Sequence, residues 1–86
     1  MRRVTVEVTA EDIAAGEHFA CDRCPIAIAV KRCSGEPFAS VTHYRIRLSP
    51  DGDSRVAKPP AAVGDFIWAF DQGHPVQPFS FEVELP

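Results

Sequence analysis

The chain has 86 residues, of which 45% are hydrophobic and 24% are charged, and its net charge is −3 with histidine neutral. This composition is typical of one globular domain and is too apolar for a disordered chain. The negative net charge gives no overall attraction to nucleic acid or to an anionic membrane. The sequence has neither the apolar run of a signal peptide nor a membrane-spanning segment, and its odd number of cysteines does not predict a closed disulfide framework. We therefore expect a single soluble domain over residues 1–86 in a reducing cytoplasm.

The beginning of the chain predicts a strand followed by a short helix. Apolar and polar residues alternate from Arg3 to Thr9, which is typical of a half-buried strand. Thr9 is a favourable N-cap residue with Asp12 three positions later. The short helix that they begin is expected to end at Gly16 and to contact the core through Ile13.

A second helix is predicted at about 24–33, in the most apolar stretch of the sequence. Pro25 suits the first turn of a helix, and Gly35 suits a left-handed cap after its end. Apolar residues recur at the i, i+3, i+4 and i+7 positions, and the other faces are apolar as well. This pattern predicts a helix that is buried nearly all round.

The second half of the chain predicts two strands, a helix and a last strand. We expect a strand at about 39–48, a turn at 49–54 and a short strand at 55–57 that pairs back. An amphipathic helix is predicted at about 61–72 and a strand at about 78–85. The buried stripe of that helix is assigned to Val63, Phe66, Ile67 and Phe70. The predicted order is β-α-α-β-β-α-β, a small α+β domain with helices packed on one face of a mainly antiparallel sheet.

Two cysteines separated by two residues, Cys21 and Cys24, precede the second helix. The N-terminus of a helix favours a thiolate, which predicts that Cys24 is the more reactive thiol. A thiol-redox protein is therefore one alternative function. Thioredoxin-like motifs follow a strand, whereas this pair follows a helix and a loop, so small thiols packed beside the helix are the favoured interpretation.

A small zinc-binding protein is the related alternative, and no other cofactor is implied. The candidate ligands are His18, Cys21 and Cys24, with His43 or His74 completing the set. Cys33 is excluded from the same ion, because about 13 Å of helix rise would separate it from Cys24.

A basic strip is predicted on one face of the strand at 39–48. It consists of His43, Arg45 and Arg47, with Arg55 across the hairpin. This strip is a candidate binding site for a small nucleotide. The third alternative function is therefore a counter-defence protein that sequesters such a nucleotide. Nucleic-acid binding is not favoured, because Tyr44 is assigned to the opposite face, and acidic residues are expected to pair with the arginines. These acidic residues are Glu7, Glu82 and Glu84.

Trp68 is a large apolar residue that lies outside the predicted core. It lies roughly 100–140° from the apolar stripe of its helix, at about 100° per residue. It either packs under the segment Pro75–Pro78 or anchors a partner at the surface, where tryptophan often dominates binding energy. The exposed edge of the strand at 55–57, with Arg55 and Val56, is the second candidate contact and would also permit a homodimer.

Catalytic patterns are missing from the sequence. It contains no phosphate-cradling glycine run, no serine nucleophile elbow and no paired carboxylates on one element. His74 is interpreted as a residue that ends a helix, and Asp65 and Asp71 as solvated charges. We therefore expect a protein that is not an enzyme.

Three segments together resemble a group of small uncharacterised proteins encoded by actinobacterial bacteriophages and prophages. The segments are Val4–Ile13, Cys21-x-x-Cys24-Pro25-Ile26-Ala27, and Phe66-Ile67-x-x-Phe70-Asp71-x-Gly73-x-Pro75-Val76-x-Pro78-Phe79. Their shared residues are caps, helix starts and core aromatics, and Cys33 and the histidines are not among them. The resemblance implies a protein of the bacterial host's cytoplasm that acts by binding a host or phage protein.

Overall fold

The computed structural model describes residues 1–52 and 54–86. Within them, strands and helices follow each other in the order β-α-α-β-β-β-α-β, so the predicted α+β class is confirmed. The elements are β1 (Arg2–Val8), α1 (Ala10–Ala15), α2 (Pro25–Ser34), β2 (Ser40–Val41), β3 (Ile46–Arg47), β4 (Val56–Ala57), α3 (Ala61–Asp71) and β5 (Phe79–Leu85). No helix in this part of the chain is long and apolar enough to cross a membrane.

The first and last strands form one antiparallel pair. β1 pairs with β5 over their full lengths, from Arg2 opposite Leu85 to Val8 opposite Phe79. Alternate residues of both strands are buried, as the period of two predicts. This pairing places the two ends of the chain next to each other.

Local capping determines where the first two helices begin. The Thr9 hydroxyl accepts a hydrogen bond from the Asp12 N–H, and the Asp12 carboxylate accepts one from the Thr9 N–H, which forms the predicted capping box. Cys24 is the N-cap of α2, where its Sγ accepts from the Ala27 N–H at 3.4 Å. Gly35 ends α2 with a φ of 79°, in the left-handed region that favours glycine.

The core lies between α2, α3 and the β1–β5 pair. The first turns of α2 are buried, which confirms its prediction as the central helix. α3 buries the predicted stripe of Val63, Phe66, Ile67 and Phe70. The ring of Phe66 lies 5.1 Å from that of Phe79 in β5. These contacts join the helices and the sheet into one cluster of buried residues.

The continuous strand predicted at 39–48 is wrong. The chain turns back at residues 42–45, so that β2 and β3 are two short antiparallel strands. The Thr42 hydroxyl accepts hydrogen bonds from the N–H groups of Tyr44 and Arg45, both at 3.2 Å. The Thr42 N–H also donates to the Arg45 carbonyl at 2.9 Å. A hydroxyl that satisfies the backbone locally competes with the strand ladder, and here the turn is the result.

β3 also pairs with β4, which completes a three-stranded sheet in the order β2-β3-β4. The short strand predicted after the 49–54 turn is therefore confirmed. Gly52 in that turn has the expected positive φ of 129°, and Asp53 lies outside the described residues. We expected a single sheet, but the strands form two: a two-stranded sheet of β1 and β5, and a three-stranded sheet of β2, β3 and β4.

Candidate functional site

The loop between α1 and α2 is fixed to its neighbours by specific contacts. The ring of His18 stacks on Phe70 of α3 with centroids 4.3 Å apart. The Cys21 carbonyl accepts a hydrogen bond from the Val41 N–H at 2.9 Å, which ties the loop to β2. Within the loop, the Glu17 N–H donates to the Arg23 carbonyl at 2.8 Å. The loop is therefore held against both α3 and the small sheet.

These contacts leave an apolar cleft between the loop, the β2–β3 turn and α3. Its walls are residues 19–21 and Cys24 from the loop, 41–43 from β2 and the turn, and Ile67 and Asp71 from α3. The cleft has a volume of about 290 Å³. Pockets for drug-sized ligands span about 300–1,000 Å³, so this one suits a single large side chain or a similarly small group.

Phe19 at the rim of the cleft combines exposure with an unusual backbone. Its φ is 57°, in the left-handed region that a bulky residue rarely adopts. The Phe19 N–H donates to Asp71 Oδ1 at 3.0 Å, so a side chain of α3 holds this conformation. The prediction that Asp71 is merely a solvated charge is therefore wrong, since its carboxylate positions the rim of the cleft.

Three large side chains in or next to the walls of the cleft are exposed. Phe19, Tyr44 and Trp68 are 75%, 85% and 54% exposed, respectively. Tyr44 follows His43, a wall residue, and their rings lie 6.1 Å apart. Trp68 follows the wall residue Ile67 and lies one helical turn before Asp71 on α3.

Trp68 is not buried beneath Pro75–Pro78, because 54% of the residue is exposed. Its indole meets the ring of His74 edge-on, with centroids 5.1 Å apart, and about half of the side chain stays exposed. His74 follows the helix end as predicted, and its ring also orients the tryptophan. Of the two positions predicted for Trp68, the structure shows the one at the surface.

The two cysteines at the cleft differ in accessibility. Cys21 is exposed and Cys24 is buried, and neither forms a disulfide. Burial raises the pKa of Cys24, although hydrogen bonds from the N–H groups of Ala27 and Ile26 oppose this effect. The prediction that Cys24 is the more reactive thiol is therefore wrong, because desolvation outweighs the helix N-terminus.

The cleft is also lined by a thiol nucleophile, an imidazole and a carboxylate, which belong to Cys21, His43 and Asp71. Nucleophilic catalysis needs a base hydrogen-bonded to the nucleophile and a third group orienting that base. The described residues show no hydrogen bond among these three, and Asp71 Oδ1 is directed to Phe19. The arrangement accordingly offers an apolar surface with polar edges, without a formed catalytic relay.

The predicted zinc ligands are only partly brought together. Cys21, Cys24 and His43 line the cleft, whereas the imidazole of His18 stacks on Phe70 and that of His74 contacts Trp68. Within residues 1–52 and 54–86, no group of three or more His, Cys, Asp or Glu residues is placed to hold a metal ion. Zinc binding stays a prediction, which elemental analysis of protein purified without added metal would test.

The basic strip predicted on one strand face is not formed. The turn at Thr42 removes His43 and Arg45 from the strand, so that His43 faces the apolar cleft while Arg45 and Arg47 line a separate polar one. Arg55, predicted to contact a partner, instead donates to both carboxylate oxygens of Glu36, at 2.9 and 3.1 Å.

The other residues of the two predicted surfaces have different neighbours from those expected. Glu82 and Glu84 lie beside Arg3, at 3.8 and 3.2 Å. Val56 lies on β4 at the edge of the three-stranded sheet. Its strand is next to β5, with an open groove between them.

Two residues of the site were not identified from the sequence. Phe19 carries no pattern that would mark it, because its position depends on a long-range hydrogen bond. Gly64 does carry one, since glycine within a helix suggests close approach of another group. A Cβ atom at Gly64 would lie 3.3 Å from His43 Nδ1, so the glycine lets the cleft wall pack closely on α3.

Comparison of the chain with protein-family models, with curated proteins and with solved structures gives no match.

Proposed function

We propose that this chain is a non-enzymatic interaction module of a bacteriophage or prophage that binds a host or phage protein in the bacterial cytoplasm. Its binding surface is the apolar cleft with its rim of Phe19, Tyr44 and Trp68. The phage context is supported by the resemblance of the three sequence segments, and the surface is supported by the geometry of the rim.

The observation that carries the proposal is the grouping of exposed aromatic residues. Single exposed apolar residues are ordinary in small proteins, whereas a contiguous group around a concavity marks an interaction site. Of the four large hydrophobic residues exposed in the described part of the chain, Phe19 lines the cleft, Tyr44 and Trp68 each directly follow a wall residue, and the fourth is Met1. Aromatic side chains are also the residues that most often dominate binding energy.

The chemistry of the cleft indicates what its partner presents. The floor, which includes Val41 and Ile67, is apolar and would accept one large apolar side chain. Asp71 adds a carboxylate, whose Oδ2 makes no hydrogen bond to a described residue. A partner segment that places an apolar residue next to a lysine or arginine would satisfy both features.

A photo-crosslinking experiment tests this surface directly. Benzoylphenylalanine in place of Tyr44 is expected to give a discrete crosslinked product in a bacterial host lysate. Excess unlabelled wild-type chain should suppress the product, whereas the Trp68→Ala chain should be weaker as a competitor by about tenfold or more. Circular dichroism of the variant verifies that it is folded.

Two controls separate the cleft from other surfaces. Benzoylphenylalanine in place of Glu82, on the exposed face of β5, should not give the same product. The Val56→Ser chain should compete as well as the wild type, because Val56 is at the β4 edge. Equal competition by Trp68→Ala and the wild type would refute the cleft, and a loss confined to Val56→Ser would assign binding to the sheet edge.

A further inference from the structure

We propose that a second, polar cleft beside the β2–β3 hairpin binds an oxyanion of the phosphate class. It is lined by Ser40, Thr42, Arg45 and Arg47 and has a volume of about 240 Å³. Both strands and the turn contribute to it, so it exists only because residues 39–48 fold back on themselves.

Arg47 differs from the arginines that stabilise the fold. Ion pairs between described residues place five arginines 2.7–3.7 Å from a carboxylate oxygen, and these are Arg2, Arg3, Arg23, Arg32 and Arg55. Arg47 has no such partner among the described residues. Its Nε is buried without a hydrogen-bond partner, and its guanidinium carbon lies 5.8 Å from the ring centre of Phe38. A buried guanidinium donor without an acceptor is unfavourable, which points to a missing anionic partner.

The neighbours of Arg47 strengthen this inference. Arg47 is on β3, the central strand of its sheet, so its backbone is paired on both sides and its Cα has a defined position beside the cleft. Arg45 contributes a second positively charged side chain to the lining of the same cleft. The Ser40 hydroxyl, which has no hydrogen-bond partner among the described residues, supplies a further donor.

The lining selects a small tetrahedral oxyanion. A guanidinium donates two parallel hydrogen bonds to phosphate oxygens, and serine hydroxyls commonly add a third. The volume falls below the range of about 300–1,000 Å³ for sites that enclose whole organic ligands. The cleft therefore suits one phosphate group, either free or at the end of a larger phosphate ester.

Two-dimensional NMR of the intact chain tests the proposal with inorganic phosphate, ADP and acetate at constant ionic strength. Phosphate should shift the Arg47 Nε–H resonance and amides of residues 40–47 in a saturable way below about 10 mM, while Ile67 stays unchanged. ADP binding tighter than phosphate would identify a phosphate ester as the source, and equal binding would identify free phosphate. Acetate binding as tightly as phosphate would overturn the assignment to the phosphate class.

A matched pair of variants makes the test specific. Arg47→Met retains a long side chain over Phe38 but removes the charge, and should weaken phosphate binding by about tenfold or more. Arg23→Met removes a charge from an exposed ion pair and should leave binding nearly unchanged. Equal losses in both variants, or no shift in residues 40–47 of the wild type, would overturn the proposal. If Arg47→Met does not fold, Ser40→Ala replaces it, with a smaller loss expected on the same resonances.

Discussion

Asp12 shows how one carboxylate can hold several parts of a small fold together. Its Oδ2 accepts hydrogen bonds from the Thr9 N–H at 2.9 Å and from Arg32 of α2 at 2.7 Å. Arg32 also donates to the Glu7 carbonyl at 2.7 Å, so the group links β1, α1 and α2. Burial raises the pKa of Asp12, but the hydrogen bonds from Thr9 and the ion pair with Arg32 outweigh burial and lower it below 3.8.

The lowered pKa of Asp12 gives a pH-dependent prediction. Because the unfolded chain protonates this carboxyl more readily than the folded one, its stabilising effect is complete above pH 3.8 and is lost as the pH falls through the lower folded value. Asp12→Asn should reduce the free energy of unfolding at pH 7 by about 1 kcal/mol. Urea unfolding from pH 7 to pH 2 should show the difference from the wild type shrinking with acid.

Glu11→Gln is the control for this prediction, because Glu11 is the exposed acidic neighbour in the same helical turn. It should change the free energy of unfolding much less than Asp12→Asn does. A difference between Asp12→Asn and the wild type that stays constant down to pH 2 would show that the charge of Asp12 does not stabilise the fold.

At the scale of elements, the junction of α1 and α2 depends on close packing between two residues. A Cβ atom at Gly16 would lie 2.5 Å from Cγ and Cδ of Pro25, the first residue of α2. The proline ring is rigid and buried, so it cannot move aside without shifting α2. Gly16 was predicted only as the end of a helix, and its contact with Pro25 is the stronger constraint.

Gly16→Ala should destabilise the protein by about 1–3 kcal/mol through this overlap. Gly35→Ala is the comparison, because nothing lies within 4 Å of a Cβ atom there and its cost comes from the positive φ alone. Thermal unfolding, together with one NMR spectrum of each variant, measures both effects. Shifts spread along α2 in Gly16→Ala only would confirm the overlap, and an unchanged midpoint would contradict it.

Elements with strong local patterns were predictable from the sequence, and the candidate site was predictable only in part. The capping box at Thr9, the start of α2 at Pro25 and the alternation in β5 depend on residues close in sequence, and all three are confirmed. The 42–45 turn contains neither glycine nor proline, so its only signal was the hydroxyl of Thr42.

The missed turn explains most of the errors about the site. A single strand would place Tyr44 and Ile46 on one face, whereas the turn leaves Tyr44 exposed at its tip and Ile46 in the core. It also separates His43 from Arg47. Trp68 was identified correctly as off the stripe, because helical periodicity alone determines its angle.

For the molecule as a whole, Glu36 joins regions that are distant in sequence. Its carboxylate pairs with Arg2 of β1 at 2.7 Å and with Arg55 before β4 at 2.9 Å. Arg55 also donates to the carbonyl of Pro86 at 3.2 Å. The end of α2 is thereby connected to both sheets and to the last residue of the chain.

Glu36→Gln should lower the midpoint of thermal unfolding by a few degrees, because it removes the charge shared by two arginines. Hydrogen bonds from Arg55, together with the nearby charge of Arg2, lower the pKa of Glu36, so this contribution also decreases as the pH falls below 4.5. Glu84→Gln disrupts an exposed pair with Arg3 and should have little effect. Equal midpoints for Glu36→Gln and the wild type at low and high salt would show that the network does not stabilise the fold.

The pairing of Arg2 with Leu85 places the two chain ends side by side. A tag, label or fused domain attached at either end would therefore leave from the same corner of the molecule. A short linker between the ends, with a new opening cut in the loop at 49–54, should give a circularly permuted chain with the same fold. Fusion partners of such a permutant would leave from the 49–54 loop instead of from the paired ends of β1 and β5.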